Sequence, residues 1–323
     1  MTRVAAIDCG TNSIRLLIAD VPGGGISEGA APALTDRCRM MRIVRLGEGV
    51  DRTGRLSDAA LERTFAACQD YAELCERHGV TAIRFVATSA TRDAANRQTF
   101  VDGVRARLGV TPEVVTGVEE AALSFAGAIS VVGPASGSSL VVDIGGGSSE
   151  IVLGQDQPQA QYSMNIGCVR LTERHLHTDP PSVAERRAAM DDVDAALDEA
   201  ERTVDLSAAT RLIGLAGSVT TVTAHALGLD HYDSDRIDGA HLSIEQIDRS
   251  CQALVTESRA ERAAHGFMHP GRADVIGAGA LVWSRIVARV AARTREVGHP
   301  IDGALTSEHD ILDGIALSAA AGA

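Results

Sequence analysis

Ala6-Ile7-Asp8-Cys9-Gly10-Thr11-Asn12-Ser13 and, much later in the chain, Val142-Asp143-Ile144-Gly145-Gly146-Gly147-Ser148 are two versions of one phrase. Each follows an apolar run, Val4–Ile7 in the first and Leu140-Val141-Val142 in the second. Each leads into another, Arg15–Ala19 and Ile151-Val152-Leu153. Short apolar runs on either side of glycine-rich turn chemistry read as strand–turn–strand. Asp8-x-Gly-x-x-Ser then matches Asp143-x-Gly-x-x-Ser in the same frame, so a whole supersecondary unit is repeated. Duplicated halves predict an α/β protein of two domains with both turns at one inter-domain cleft, a common place for ligands.

The rest of the chain fits that frame. A hairpin around Arg42–Leu46 precedes a helix capped by Ser57, in which Leu61, Phe65, Cys68, Ala72 and Cys75 recur at helical spacing until Gly79. A strand at Ile83–Ala87, a polar stretch with Arg92, a helix near Asn96–Leu108, a strand at Glu113–Val115 and a helix at Glu119–Ala128 follow. In the second half, Ser182-x-x-Glu185 is a capping box opening a helix to about Val204. A strand at Arg211–Leu215, a Gly217-Ser218 turn with a helix through Ala226, and helices at Ser243–Thr256, Ala273–Arg293 and Ser307–Ala319 complete the pattern. Only Pro22–Pro32 and the last few residues read as loose.

With 323 residues, either half can bury its own core. The formal net charge of −13 repels nucleic acid and anionic lipid, which argues against both as partners. It repels a polyanionic substrate as well, so any phosphate site must be built locally, from backbone N–H groups, arginines and a divalent cation. Six cysteines contain no CxxC pair and read as reduced thiols of a cytosolic protein. The N-terminus, one Arg and then an apolar run interrupted by Asp8, does not read as a signal peptide. No apolar run reaches membrane-spanning length, Asp274–Trp283 being cut off by Arg285.

Glycine-rich turns between strands present successive N–H groups to one concavity, and such nests bind phosphate oxygens. Gly10, Thr11, Asn12 and Ser13 form one candidate nest, and Gly145, Gly146, Gly147 and Ser148 the other. Asp143 at a strand end and Glu150 at the start of its partner offer the hard oxygens that Mg²⁺ prefers, with Mn²⁺ as a substitute. Read alone, Glu150 is equally a solvated strand-end charge. Asp8 is placed to support the same ion through water. Glu119 and Glu120 begin a helix, where acidic residues also suit the helix dipole. Adjacent helical residues diverge by about 100°, so at most one faces a cleft. Arg92 carries the planar donor fork that grips phosphate, and Gly217-Ser218 before a helix offers further N–H groups. The histidine pairs His175/His177 and His265/His269 lack adjoining Cys or carboxylate ligands and read as surface or loop residues. Neither a nucleophile elbow nor a Walker A lysine is present.

Together with Ala87-Thr88-Ser89-Ala90-Thr91-Arg92, Gly117-Val118-Glu119-Glu120-Ala121, Ser148-Ser149-Glu150, Gly167-Cys168-Val169-Arg170-Leu171-Thr172-Glu173 and Ala216-Gly217-Ser218, the two turns closely resemble the exopolyphosphatase/guanosine pentaphosphate phosphohydrolase family along nearly the whole chain. The resemblance implies a duplicated ribonuclease H-like fold, shared with actin, Hsp70 ATPase domains and sugar kinases. Domain I would cover residues 1–125, with the C-terminal helix of about 305–323 returning to it, and domain II residues 126–304. It also implies that Glu120 activates water, that Arg92 and the two turns hold phosphate, and that Asp143 and Glu150 help bind Mg²⁺. The substrate would be inorganic polyphosphate or pppGpp, and the expected assembly a homodimer. Cys9 and Thr11 depart from the small or apolar residues common in the family. The chain ends soon after Asp313-Gly314-Ile315, like the short, two-domain branch. Two rival readings share these motifs: an ATP-using kinase or ATPase of the same fold, and a non-catalytic sensor of polyphosphate or pppGpp.

Overall fold

The computed structural model describes residues 1–22, 34–133 and 136–321. Of the stretch read as loose, all but Pro22 lies outside the described residues. The first elements are β1 (Thr2–Cys9), β2 (Ser13–Val21), β3 (Thr35–Ile43), α1 (Val50–Thr53), α2 (Asp58–Arg77) and β4 (Ala82–Ala87). Next come α3 (Ser89–Asp93), α4 (Arg97–Leu108), β5 (Glu113–Val114) and α5 (Gly117–Val132). The second series is β6 (Ser138–Ile144), β7 (Ser149–Gly154), β8 (Pro158–Met164), α6 (Cys168–His175), α7 (Val183–Ala200), β9 (Ala209–Leu215) and α8 (Ala216–Ala226). It continues through α9 (Ser234–Ile237), β10 (His241–Ser243), α10 (Ile244–Thr256), α11 (Arg259–Ala264), α12 (Ile276–Glu296), β11 (Gly303–Thr306) and α13 (Ile311–Ala321).

The chain divides into two compact units, Met1–Gly133 with His309–Ala323, and Pro134–Glu308. The first holds a five-stranded sheet in the order β3-β2-β1-β4-β5. β1, β2 and β3 are antiparallel neighbours, whereas β4 and β5 join parallel. The second unit repeats this plan as β8-β7-β6-β9-β11, with β10 added antiparallel at the far edge. An antiparallel hairpin extended by parallel strands, twice over, is the duplicated ribonuclease H-like α/β arrangement.

Strand periodicity explains the layers. Successive side chains of β1 point to opposite faces. Ala5, Ile7 and Cys9 pack with Leu61, Cys68 and Tyr71 of α2 and Phe100 and Val104 of α4. Val4 and Ala6 pack on the other face with Ile311, Leu312, Ile315 and Ala316 of α13. Asp8 has the parity of that second face. In the other unit Leu140, Val142 and Ile144 enter a large core with Val193, Leu197, Val219, Trp283 and Val290. Asp143 therefore belongs with Val141 on the face turned away from that core.

The turns are shorter than the sequence predicts. Asp8, Cys9, Asp143 and Ile144 are strand residues because each still pairs across its hairpin, and Ser13 is one because it pairs with Ile43 of β3. Helix α5 begins two residues before Glu119, where Thr116 and Glu119 close a capping box. Gly217 and Ser218 lie in the first turn of α8 and form no separate turn. Helix α7 ends at Ala200, short of Val204, α12 runs from Ile276 to Glu296, and α13 continues to Ala321. The final described residues are thus helical. Strands β8, β10 and β11 were not read from the sequence. Ser57 caps α2, and Cys68 and Cys75 are buried on it, as their spacing predicts.

Candidate active site

The first turn closes with the N–H of Gly10 donating to the carbonyl of Ser13 at 3.0 Å. Its outer carbonyls are tied back: Asn12 O accepts from Val44 and Arg45, and Thr11 O from Gly47. Among the described residues, no oxygen accepts from the N–H groups of Thr11 or Asn12. Thr11 itself is buried, its hydroxyl 2.8 Å from that of Ser89, so it offers a ligand its backbone, not its side chain. A Cβ on Gly47 would lie 2.3 Å from Thr11 Cγ2, which is why the supporting segment carries glycine there.

The second turn repeats these contacts. Gly145 N–H donates to Ser148 O at 3.0 Å, Gly145 O accepts from Cys168, and Gly146 O from Val169 and Arg170. Again no oxygen among the described residues accepts from the N–H groups of Gly146 or Gly147. A Cβ on Gly167 would sit 2.5 Å from the Gly146 backbone, so α6 approaches the turn this closely only through glycine. With carbonyls turned away and amides unpartnered, both turns have the polarity of an anion nest. The Arg170 Nε group donates to Gly147 O at 2.6 Å, and the Arg272 guanidinium lies against Gly217. Arg170 thus brings positive charge to the second turn and Arg272 to the start of α8, and neither has a role assigned from the sequence. Ala216, first in α8, has φ 65, left-handed backbone that an alanine rarely adopts. Ser218, two residues on, is buried against Gly279 and the Cys168 side chain. Burial pushes the Cys168 thiol above its ordinary range, with the Ser218 hydroxyl pulling the other way.

What faces each aspartate separates the two halves. Asp8 pairs across β1–β2 with Arg15, whose Nε and Nη2 both donate to Asp8 Oδ2, at 3.0 and 2.7 Å. Arg15 Nη1 also bonds Asp310, just before α13. Burial opposes the Arg15 charge, but Asp310 and Asp8 more than offset it and raise its affinity for the proton. Burial in turn raises Asp8 above its ordinary value, partly offset by Arg15. In unit 2 the residue opposite Asp143 is Glu150. Both are buried, at 7% and 1% exposure, and they share one face of the hairpin. Ser163 of β8, the register partner of Glu150, donates to Glu150 Oε1 at 2.6 Å. Directly opposed residues bring their Cβ atoms to roughly 4.5–5.5 Å. Two such carboxylates fit a small hard cation bound through oxygen.

The Glu119–Glu120 pair is resolved by the helix itself. Glu119 Oε2 accepts from the Thr116 N–H at 2.8 Å and from its hydroxyl at 2.9 Å, completing the capping box. Those bonds hold the Glu119 carboxyl below its ordinary value. Glu120 is 8% exposed, and its Oε2 accepts from Arg92 Nη1 at 3.0 Å. The same Nη1 donates to Val115 O at 2.9 Å. Arg92 sits on the one-turn helix α3 after β4, not in an open loop. Unit 1 therefore joins Arg92 to Glu120, and unit 2 joins Asp143 to Glu150.

The cysteines are free thiols, and burial pushes Cys9 well above its ordinary range, which leaves it chemically quiet beside the first turn. Contrary to the sequence reading, two of these histidines do adjoin carboxylates: His175 Nε2 lies 2.9 Å from Asp192 Oδ2 and His265 Nε2 3.0 Å from Glu257 Oε2. His265 and Glu257 flank α11 and meet His225 of α8, which no local spacing connects to them, while the His269 Nδ1 accepts from Gly271. Among the described residues, no helix is long and apolar enough to cross a membrane.

Comparison with known proteins identifies the family. The model of the Ppx/GppA phosphatase family matches residues 26–306. Exopolyphosphatase 2 of Mycobacterium tuberculosis is 51% identical, covering 99% of each chain. The crystal structure of an exopolyphosphatase-like protein, 48% identical, superposes with a TM-score of 0.92 over 98% of this chain and 97% of that one. The PPX-GPPA enzyme of Aquifex aeolicus, 29% identical, gives 0.77 over 98% and 99%. The chain belongs to the Ppx/GppA phosphatase family, a family of hydrolases.

Proposed function

We propose that this protein hydrolyses a terminal phosphoanhydride, releasing orthophosphate from inorganic polyphosphate or from the 5′ end of pppGpp, with Glu120 as the base that activates water. The observation that carries this reading is the division of labour in one dipeptide. Glu119 is committed to capping its helix, while Glu120 is turned inward onto Arg92. A helix-dipole role alone needs no such inward turn.

In-line attack of water needs little covalent chemistry from the protein, and mostly positioning and charge stabilisation. Glu120 orients the water and takes its proton, with Arg92 fixing the carboxylate in one direction. Both Arg92 contacts use Nη1, so its Nε and Nη2 edge is the part assigned to a phosphate oxygen. In unit 1 the amides of Thr11 and Asn12, with Gly10 and Ser13, are assigned to phosphate oxygens, and in unit 2 so are those of Gly146 and Gly147, with Gly145, Ser148 and the start of α8 at Gly217 and Ser218. Asp143 and Glu150 would hold Mg²⁺, which when bound neutralises phosphoryl charge. Asp8 keeps its Oδ1 outside the Arg15 pair and is assigned to hold a metal-bound water. The family and the name of the 51%-identical relative support the polyphosphate reading.

The test is phosphate release by the purified protein with Mg²⁺ on short polyphosphate, long polyphosphate and pppGpp side by side. ATP with sugar acceptors serves as the counter-assay. Release from at least one of the three supports the proposal. Transfer from ATP without such release would favour a kinase, and tight binding with no product a sensor.

A further inference from the structure

A second cluster of chemistry-bearing side chains lies wholly within Pro134–Glu308. His225 is in the last turn of α8, Glu257 directly follows α10, and His265 directly follows α11. One potential ligand atom from each lies within 4.8 Å of the others. His265 Nε2 is 3.0 Å from Glu257 Oε2. The two imidazoles meet edge to face, with centroids 5.3 Å apart and planes at 87°. Phe267 walls the group, stacked on His265 at 5.0 Å and edge-on to His225 at 6.2 Å.

We propose that His225, Glu257 and His265 form a binding site for a first-row divalent transition ion, Zn²⁺ in the first instance, that staples the ends of α8, α10 and α11 together. The second, independent observation is at His225. Its Nδ1 is buried and has no hydrogen-bond partner among the described residues. Buried ring nitrogens normally find a partner, and one without needs an explanation. A neutral imidazole is the form that ligates metal. Two histidines and one glutamate are a recognised zinc set, with a fourth position left for water.

Ligand chemistry separates this site from the one assigned to Mg²⁺. Asp143 and Glu150 offer oxygen alone, whereas two imidazole nitrogens favour zinc-like ions. Tetrahedral binding requires ligand atoms about 2.0–2.2 Å from the ion, so the three side chains need only modest rotations to close on it. His225 and Glu257 lie far apart in sequence on elements that pack side by side. A bound ion would therefore stabilise tertiary structure by mass action, binding the folded unit and not the unfolded chain.

The experiment uses the whole chain, stripped with a chelator and held in excess Mg²⁺ so that hard oxygen sites are filled. Zn²⁺ is titrated calorimetrically, and Co²⁺ is added separately as a spectroscopic probe. One Zn²⁺ per chain is expected, with the visible absorption of four-coordinate Co²⁺ and a raised melting temperature. His225→Gln and Glu257→Gln should each weaken binding by at least roughly tenfold, since losing even an outer-shell partner typically costs that much. His269→Gln is the control and should leave binding unchanged. Melting in Mg²⁺ alone verifies that each variant is folded. Absence of stoichiometric uptake, or uptake undiminished in both ligand variants, would overturn the proposal.

Discussion

Asp143 lies directly across its hairpin from Glu150, at the position where Asp8 meets Arg15 in the other sheet. One duplicated frame therefore carries two electrostatic solutions. The first hairpin neutralises its aspartate with an arginine. The second sets two buried carboxylates opposite each other, an arrangement that a divalent cation relieves.

Asp143→Asn and Glu150→Gln should each raise the Mg²⁺ concentration needed for half-maximal phosphate release, by about tenfold or more. The wild type should melt higher in Mg²⁺, and both substitutions should shrink that rise through ordinary binding linkage. A Mg²⁺ titration followed by activity and by thermal melting checks both.

Arg15→Met should act on stability. Removing it leaves Asp8 and Asp310 buried without their shared counter-ion, a change that typically costs roughly 3–5 kcal/mol. Urea unfolding measures the loss.

Glu119 and Glu120 should separate cleanly. Glu119→Gln preserves a capping box and should change stability by under about 0.5 kcal/mol, whereas Glu119→Ala should lose about 1 kcal/mol. Neither should alter turnover by more than about twofold, because that carboxylate belongs to the helix cap. Unfolding curves and initial rates on the same preparations provide the comparison.

Asp313 carries a pH signature. Burial pushes its carboxyl up, but hydrogen bonds from His309 and Arg39 more than offset this and lower it to about 2. A carboxylate depressed in the folded state stabilises fully above its ordinary value of about 3.9 and loses that contribution as pH falls toward 2. Asp313→Asn should thus cost about 2 kcal/mol at neutral pH, less than a fully buried pair because Arg39 is a third exposed. The gap between variant and wild type should close as the pH is lowered through that window. Denaturant unfolding at pH 7 and at pH 3 reads it out.

Most of the fold was legible because its signals are local. The repeated Asp-x-Gly-x-x-Ser turns, the Ser57 cap and the Ser182–Glu185 box all specify structure within a few residues. The strands without a clear sequence signal are β10 and β11, short and poor in β-branched residues, and β8, which alternates apolar and polar along Pro158-Gln-Ala-Gln-Tyr-Ser-Met but opens on a proline and has no β-branched residue. Their pairing is decided by the sheet edges they join. At the site, helical geometry allowed only one of Glu119 and Glu120 to turn inward, but nothing in that step alone chose which. The Thr116-x-x-Glu119 signature was there to be read and would have assigned Glu119 to the cap. Arg15 reaches Asp8, and Arg272 the start of α8, only through cross-strand register or tertiary approach, and His225 meets Glu257 and His265 only through packing, so sequence spacing is silent on all of them.

The most direct test of the central claim compares Glu120→Gln with the wild type on the preferred substrate, measuring binding and single-turnover phosphate release on the same samples. The account predicts a dissociation constant within about threefold of wild type and a turnover rate lower by roughly 10²–10⁴. Phosphate release at the wild-type rate with binding intact would contradict the assignment of Glu120 as the base.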